Sequence, residues 1–216
     1  MLRSIFFLFV CAVACVAQEP AKPVDVTQPA AKPVVDAVKP AEEAKPVKLA
    51  AGDAMPEFTL KDLSGTTRVA KDLLKDKKVL VIDFWSASCP TCKMNEVRFT
   101  NYEKAWADKG VVFIHIASNR GEVGDEKGLE RVRAAVTAEG IKLPILVDTG
   151  NVVADQFGAA VTPTTYVIDA TGKIRYCGAL TDDSRNRKVT VDYIGDAISA
   201  LVAGKDPEIT SSRPEG

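Results

Sequence analysis

Asp83-Phe84-Trp85-Ser86-Ala87-Ser88-Cys89-Pro90-Thr91-Cys92-Lys93 is the stretch of sequence that decides the fold. The apolar run Val79–Trp85, interrupted by a single aspartate, predicts a buried central strand. A Cys-x-x-Cys pair follows at once, and Pro90 suits the first turn of a helix because its missing N–H has no intrahelical partner there. The positive end of a helix stabilises a thiolate. The pattern therefore predicts a redox-active Cys89–Cys92 disulfide, with Cys89 as the nucleophile and Cys92 as the resolving thiol.

The same spacing also occurs in zinc sites and in structural disulfides. A zinc site needs further ligands, and outside the first residues of the chain the sequence offers only Cys177 and His115. A structural disulfide that closes so small a loop constrains the unfolded chain little. The interpretation therefore favours redox chemistry, and neither a metal nor another cofactor is expected.

Length and composition bound the remaining possibilities. A chain of 216 residues suggests one or two domains. The net charge is -1 with 26% charged residues, which gives no argument for nucleic acid or an anionic membrane surface as a partner. Hydrophobic residues make up 46% of the chain, enough for an ordinary folded core.

The segment 1–17 is predicted to be a secretory signal peptide. A positive start, Met1-Leu2-Arg3, precedes the apolar run from Ile5 to Ala14, which is far shorter than the roughly 20 residues of a membrane span. Cleavage near Ala17 is one interpretation, and a lipobox in which Cys15 is lipidated as a membrane tether is the other. Either one predicts an extracytoplasmic protein, in the periplasm or cell envelope, where cysteine pairs can be oxidised.

Residues 18–51 are predicted to form a Pro/Ala/Lys-rich linker. This segment holds half of the 12 prolines, and Ala-Lys-Pro-Val recurs at 21, 31 and 44. Without glycine or aromatic residues it favours extended conformations and cannot bury a core. It could be a stiff tether that lifts a domain off a membrane, or a spacer with no specific role.

Residues 52–204 are predicted to form one α/β domain, followed by a polar C-terminal tail at 205–216. Strands are expected at Pro56–Asp62, Val79–Trp85, Val111–Ala117, Leu143–Val147, Thr164–Asp169 and Lys173–Cys177. Helices are expected from three apolar series, Met94, Val97, Phe99, Tyr102 and Trp106, then Leu129, Val132 and Val136, then Val191, Ile194, Ile198, Leu201 and Val202. This order implies a central mixed β-sheet with helices on both faces.

Residues 83–93 and Thr162-Pro163-Thr164 resemble thioredoxin. The whole stretch 51–204 resembles more specifically the extracytoplasmic redoxin-type proteins, the TlpA-like and AhpC/TSA-like thiol–disulfide oxidoreductases. Gly52-Asp53-x-x-Pro56-x-Phe58-x-Leu60 matches the N-terminal β-hairpin extension of that family. The resemblance places Cys89 and Cys92 on the family dithiol, Asp83 on the buried carboxylate of thioredoxins, and Pro163 of Thr162-Pro163-Thr164 on the cis-proline. It implies a thioredoxin-like fold and disulfide exchange.

Three features depart from the family pattern. Ser88 stands where a tryptophan often precedes the first cysteine, Pro90-Thr91 is an unusual pair between the cysteines, and Asn95 stands where many tethered reductases carry a glutamate. The departures bear on redox potential and partner choice, and they leave the dithiol chemistry intact.

Three further side chains carry open interpretations. Asp83, a carboxylate in an apolar strand, could accept the proton of Cys92 during resolution, or could be a salt-bridged structural acid. His115 could pair with Asp83, or could be a satisfied core histidine without a catalytic role. Cys177 is interpreted as a small buried residue, with a regulatory thiol as the alternative.

The predicted partners are protein thiols and disulfides together with an upstream redox donor or acceptor, and the protein is expected to be a monomer. Substrate contacts are expected from Trp85, Ser88, Pro90, Thr91 and Thr162. The charged loop 118–126, with Arg120, Glu122, Asp125 and Glu126, could select partners by charge, or could be a solvated connection. Whether the chain reduces or oxidises its partners is not encoded in the motif.

A peroxiredoxin-like peroxidase that reduces hydroperoxides is the alternative function, and a non-catalytic binding module is a third. Such peroxidases need a proline seven residues before the reactive cysteine. Here Ile82 precedes Cys89 by seven residues and Trp85 precedes Cys92 by seven. The sequence therefore favours dithiol exchange.

Overall fold

The computed structural model describes residues 48–214. The predicted signal peptide 1–17 and nearly all of the predicted linker 18–51 lie outside these residues. Within residues 48–214, no helix combines the length and the apolar character that crossing a bilayer requires.

In the described part of the chain, seven strands form one mixed sheet, and this confirms the predicted α/β class. Their order across the sheet is β2-β1-β5-β4-β3-β6-β7, with β3, β4 and β5 parallel and the other pairings antiparallel. The strands are β1 (Thr59–Asp62), β2 (Thr67–Val69), β3 (Val79–Trp85), β4 (Val111–Ala117), β5 (Ile145–Val147), β6 (Thr164–Asp169) and β7 (Ile174–Gly178). The predicted dithiol strand β3 lies between β4 and β6, so both of its edges are paired and all seven of its residues are buried.

Helices cover both faces of the sheet. They are α1 (Ala70–Leu73), α2 (Pro90–Trp106), α3 (Arg120–Val123), α4 (Glu126–Glu139), α5 (Val152–Phe157) and α6 (Tyr193–Val202). Side chains alternate along a strand, so β3 contributes to two separate cores. Leu80, Ile82 and Phe84 pack with Phe157 of α5, and Val79 and Val81 pack on the opposite face with α2 and α6.

The buried face of α2 differs from the predicted one. Met94 and Val97, predicted core positions, are 41% and 65% exposed. Phe99 and Tyr102 are buried as predicted, and the helix also buries Cys92, Asn95 and Glu96. The reason is that the first turns of α2 pack over polar groups of the sheet and over the loop after β7, so polar side chains are needed on that face.

The predicted N-terminal β-hairpin is present, because β1 and β2 pair antiparallel on either side of residues 63–66. The short helices α1, α3 and α5 were not predicted, because four to six residues carry too little periodicity to be recognised. Contacts also continue beyond 52–204. The N–H of Leu49 donates to the carbonyl of Phe157, and the predicted tail forms a bridge between Ser211 and Cys177. At Gly178 a Cβ atom would lie 2.5 Å from Ser212, so glycine permits this close approach of the tail.

Candidate active site

Cys89 occupies the N-cap of α2, as the sequence predicts. Its backbone is extended, and its sulfur accepts a hydrogen bond from the N–H of Cys92 at 3.4 Å. The S–H of Cys92 also donates to this sulfur and is the main reason that the pKa of Cys89 falls to about 5, although partial burial opposes the shift. Cys89 is half-buried, so the sulfur is both reachable and ready to ionise.

Cys92 has the opposite properties. Its thiol is buried, with 2% exposure, one helical turn below Cys89. The hydrogen bond to the Cys89 sulfur, burial, and the nearby charge of Asp83 together raise the pKa of Cys92 far above that of a free thiol. Cys92 therefore keeps its proton at neutral pH, and it needs a base before it can act as a nucleophile.

The Thr162–Pro163 peptide bond is cis, which confirms the predicted geometry. The carbonyl oxygen of Thr162 lies 3.2 Å from the Cys89 sulfur, so this edge faces the dithiol directly. Pro163 is buried, whereas Thr162 is partly accessible and Val161 is exposed. An open groove of about 380 Å³ runs beside Cys89, and its lining includes Phe84, Asn119, Ala160, Val161 and Thr162.

Asp83 is completely buried and is held by both neighbouring strands. The parallel register places it opposite His115 of β4, and the antiparallel register places it opposite Thr165 of β6. The hydroxyl of Thr165 donates to Oδ1 at 2.8 Å, and Nδ1 of His115 lies 3.2 Å from Oδ2. Burial raises the pKa of Asp83 despite these two partners.

His115 lies between two carboxylates. Its Nδ1 faces Asp83, and its Nε2 lies 3.4 Å from Oε2 of Glu96 on α2. Burial alone would lower the pKa of His115, but the two carboxylates raise it to about 9, so the imidazole is positively charged at neutral pH. Sequence reasoning missed Glu96. Its position one turn after Cys92 was the available signal, because residues four apart share a helix face.

Glu122, whose role the sequence did not indicate, shapes the loop that leads to Cys89. Its Oε1 accepts from the Ser86 hydroxyl and from the Ser88 N–H, both at 2.8 Å, and its Oε2 accepts from the Ala87 N–H at 3.0 Å. Glu122 is only 6% exposed. It was predicted to be a charge that selects partners from the loop 118–126, and that prediction is wrong for this residue, because the carboxylate is turned inward to bind the loop.

The other charges of the loop 118–126 also have local partners. Asp125 caps α4 by accepting from the Gly128 N–H at 2.7 Å, and Glu126 pairs with Arg133 at 2.5 Å. Arg120 is exposed and donates to Asn151 at 3.2 Å. Arg120 is thus the member of this group best placed to meet a partner.

Among the predicted substrate contacts, Ser88 and Pro90 are exposed, and Thr91 and Thr162 are partly accessible. Trp85 has 0% exposure, and its ring centroid lies 5.8 Å from that of His115. The prediction that Trp85 meets substrate is therefore wrong: it lies on the same strand face as Asp83 and supports the site from inside. Cys177 is buried, as predicted, with its thiol 3.6 Å from the carbonyl oxygen of Leu49.

The sheet order and the dithiol together place the chain among the thioredoxin-like proteins. Residues 51–177, more than half of the chain, match the AhpC/TSA family. The chain belongs to that family and is a thioredoxin-like thiol–disulfide oxidoreductase.

Individual relatives are similar at moderate identity. The thioredoxin-like protein YneN of Bacillus subtilis is 32% identical over 151 residues, which cover 68% of this chain and 84% of YneN. The thiol-disulfide oxidoreductase ResA of Bacillus thuringiensis is 28% identical over 127 residues, 59% of this chain and 68% of ResA. The crystal structure of a hypothetical protein from Sinorhizobium meliloti superposes with a TM-score of 0.68 at 28% identity, covering 78% of this chain and 94% of that protein.

Proposed function

We propose that this chain exchanges disulfides with protein partners through the Cys89–Cys92 pair. The observation that carries the proposal is the contrast within the dithiol. Cys89 is accessible and its pKa is about 5, whereas Cys92 is buried and keeps its proton. One thiol is therefore suited to attack a partner, and the other is suited to act only after the partner is bound.

In the reducing direction the reaction has two steps. The Cys89 thiolate attacks one sulfur of a partner disulfide, which forms a mixed disulfide and releases the other partner sulfur as a thiolate. Cys92 then gives up its proton and attacks the Cys89 sulfur. The Cys89–Cys92 disulfide forms, and the electron pair of the broken bond leaves on the second partner sulfur. The oxidising direction is the same sequence reversed, and the potential of the couple relative to its compartment sets the direction.

The groove beside Cys89 supports an extended polypeptide as the substrate. Thr162 presents its backbone edge next to the sulfur, and an extended chain can pair with such an edge through main-chain hydrogen bonds. Ser88, Pro90 and Thr91 form the opposite side of the approach to Cys89. Their side chains are proposed to contact the partner.

The proposed place of action is outside the cytoplasm, and this part rests on the sequence of residues 1–17. An upstream donor or acceptor then has to restore the dithiol after each cycle. Mass spectrometry of the protein isolated from its native cell envelope tests the proposed export. An N-terminus near residue 18 indicates plain cleavage of the signal peptide, and a lipidated Cys15 indicates a membrane tether.

Trapping of mixed disulfides tests the assignment of roles. A Cys92→Ser variant should accumulate partners bound through Cys89, because the second step is blocked, whereas Cys89→Ser should trap few. Equal trapping by the two variants would contradict the assignment.

Parallel assays of insulin reduction and peroxide consumption test the reaction class. Ile82 and Trp85, the positions where a peroxidase would need its proline, both lie buried inside β3. We expect insulin reduction that requires both cysteines. Peroxide consumption without insulin reduction would favour the peroxidase alternative, and neither activity would favour a binding module.

Asp83 is proposed as the base for the second step. Asp83→Asn should slow resolution of the mixed disulfide and leave the first attack by Cys89 nearly unchanged, with the fold retained because an amide is easier to bury than a carboxylate. If stopped-flow measurements between about pH 6 and pH 9 give the same resolution rate as the wild type, Asp83 is a structural acid.

A further inference from the structure

Met94 and Val97 are large apolar side chains that the structure leaves in contact with solvent and that the two-step reaction above does not use. They are 41% and 65% exposed on α2, the helix whose N-cap is Cys89. An exposed apolar side chain lacks the stabilisation that burial would give it. Two of them beside a reactive sulfur indicate a surface that another molecule covers.

These two residues belong to one face of α2. Pro90, Met94 and Val97 follow one another at intervals of four and three residues, the spacing that puts side chains on the same side of a helix. All three are exposed, whereas Phe99 on the opposite side of the helix is buried. Since Pro90 directly follows Cys89, an apolar stripe starts at the nucleophile and runs along the outer side of α2.

A loop between β7 and α6 is fixed to the same turns of α2 by hydrogen bonds. The side-chain amide of Asn186 donates to the carbonyl of Met94 at 3.1 Å and to Oδ1 of Asn95 at 2.9 Å. Its oxygen accepts from the guanidinium of Arg98 at 2.9 Å. Asn95 in turn donates to the carbonyl of Ser184 at 3.2 Å. The loop is therefore held beside the apolar stripe.

This loop carries three exposed cations, Arg185, Arg187 and Lys188. Within residues 48–214, the side chains of Arg185 and Lys188 form no ion pair, and the guanidinium of Arg187 lies 4.0 Å from the carboxylate of Asp183. That carboxylate accepts the backbone N–H groups of the same three residues at 2.7 to 3.0 Å. Asp183 thus shapes the loop from inside, and the cations face solvent.

The charge of the loop indicates the chemistry of what covers the stripe. Its other carboxylate, Asp182, also accepts N–H groups within the loop, from Thr190 and Val191 at 2.9 and 3.0 Å. Three cations and two carboxylates leave the loop with a net charge of plus one, although the whole chain carries a net charge of -1. A cationic rim beside an apolar stripe is complementary to an acidic polypeptide segment that carries an apolar side chain.

We propose that the stripe on α2 and the cationic loop form a docking surface for protein partners, and that it takes an acidic segment with an apolar side chain close to the partner's reactive cysteine. This inference rests on the proposed function, because it names the class of partner for the same site. Met94 and Val97 lie five and eight residues after Cys89, about 8 and 12 Å along the helix axis. An extended chain covers such a distance in about two to four residues, which sets where the apolar residue of the partner belongs.

The experiment uses synthetic peptides whose single cysteine is joined to thiopyridine by a disulfide. The Cys89 thiolate attacks the peptide sulfur, a mixed disulfide forms, and the electron pair of the broken bond leaves with thiopyridone, whose absorbance gives the rate. One peptide carries leucine and glutamates about two to four positions from its cysteine. In a second peptide lysines replace the glutamates, and in a third serine replaces the leucine.

A small uncharged disulfide, dithiodipyridine, measures the attack by Cys89 without the docking surface. The ratio of the peptide rate to the dithiodipyridine rate is the quantity compared, so that a change in the ionisation of Cys89 cancels. The full chain is used with Cys11 and Cys15 replaced by serine, so that Cys89 and Cys92 are the reacting thiols while Cys177 remains buried.

For the wild-type protein we expect a ratio about 10-fold higher with the acidic peptide than with the basic one at low ionic strength, and a smaller difference in high salt, which screens exposed charges. Replacing the leucine of the peptide should lower the ratio about 5-fold, because less apolar surface is buried. Arg185→Glu combined with Lys188→Glu should make the basic peptide the faster one. Met94→Gln combined with Val97→Gln should abolish the advantage of leucine over serine.

Each pair of substitutions has a matched control. Lys75→Glu combined with Lys77→Glu changes the net charge equally, and both exposed lysines precede β3, whereas Cys89 follows the other end of that strand. Ile209→Gln replaces a side chain that is 41% exposed, as Met94 is, on the segment after α6. These controls should keep the wild-type ratios. Equal changes in the controls would assign the effects to overall charge or hydrophobicity and overturn the docking surface.

A second copy of the chain is the other molecule that could cover this face. Analytical ultracentrifugation distinguishes the two occupants, because a wild-type dimer that Met94→Gln with Val97→Gln dissociates would overturn the proposal of an acidic partner. The proposed function fails by a different result, namely no release of thiopyridone that depends on Cys89 from any of the disulfides. If Cys89 releases it from all peptides with equal ratios, the exchange stands and the docking surface is wrong.

Discussion

Ionisation of Cys89 depends most on one hydrogen-bond donor, the thiol of Cys92, and removing that donor should raise the pKa of Cys89 measurably. With a pKa of about 5, roughly nine-tenths of Cys89 is thiolate at pH 6, whereas an unperturbed cysteine is less than about 1% ionised there. The largest cause is the S–H of Cys92, with the N–H of Cys92 adding to it. Cys92→Ala removes the first donor and keeps the second.

The size of the shift follows from the strength of that bond. A hydrogen bond to a charged group contributes about 1.5–3 kcal/mol, and one pKa unit corresponds to about 1.4 kcal/mol. Cys92→Ala should therefore raise the pKa of Cys89 by about one to two units, to between about 6 and 7. Cys92→Ser is the matched control, since its hydroxyl still donates, and it should shift the pKa less.

Alkylation by iodoacetamide at a series of pH values measures this directly. Fragmentation of the peptide that contains Cys89 and Cys92 assigns the modification to one of these two sulfurs, and the other cysteines lie on different peptides. The wild-type rate should be half-maximal near pH 5, the value given by the surroundings of the sulfur. A wild-type midpoint near pH 8–9, or an equal midpoint in Cys92→Ala, would refute the reasoning that the buried thiol activates the exposed one.

Two further predictions concern stability. Glu122→Ala leaves the Ser86 hydroxyl and the N–H groups of Ala87 and Ser88 without their carboxylate acceptor. It should lower the free energy of unfolding, measured by urea titration, by about 2–4 kcal/mol. The control Glu126→Ala breaks an exposed ion pair and should lower it by less than about 1 kcal/mol. An equal decrease in the free energy of unfolding of the two variants would contradict the structural role of Glu122. The pKa of Cys89 is lower in the folded than in the unfolded chain, so its stabilisation is complete above about pH 8.5 and is lost as the pH falls towards 5. The difference in Tm between the reduced wild-type protein and Cys89→Ala should therefore become smaller as the pH is lowered from about 8.5 to about 5. A difference that stays constant over this range would contradict the lowered pKa of Cys89.

The sequence was sufficient to predict those parts of the site that lie on one strand and on the start of the helix that follows it. The run Val79–Trp85 and the cysteines at the start of α2 follow from local residue preferences. The cis bond before Pro163 was implied by the family resemblance, since a local preference alone favours trans. Trp85 could also have been placed correctly, since it lies two residues after Asp83 and must share its strand face. A buried Asp83 therefore requires a buried Trp85.

Glu96 and Glu122 could not be recognised by hydrophobic periodicity. Each is a charged residue at a buried position, and its partner lies on another element, 19 residues away for His115 and 34 to 36 residues away for the loop at Ser86–Ser88. The apolar residues Met94 and Val97 then pointed to the wrong face of α2. Only the three-dimensional register of β3, β4 and β6 explains why that helix turns carboxylate and amide side chains inward.

The pairing of Asp83 with His115 across parallel strands also restricts the order in which this site can change during evolution. If Glu96 is lost first, His115 still has Asp83 beside it, and the interior keeps a balanced pair. If His115 is lost first, two buried carboxylates remain without the cation between them, and such an uncompensated state is strongly destabilising. Lineages that lose the group formed by Asp83, Glu96 and His115 should therefore replace Glu96 on α2 before His115 on β4. Homologous sequences with an acidic residue at position 96 but no histidine or other cation at position 115 should be rare.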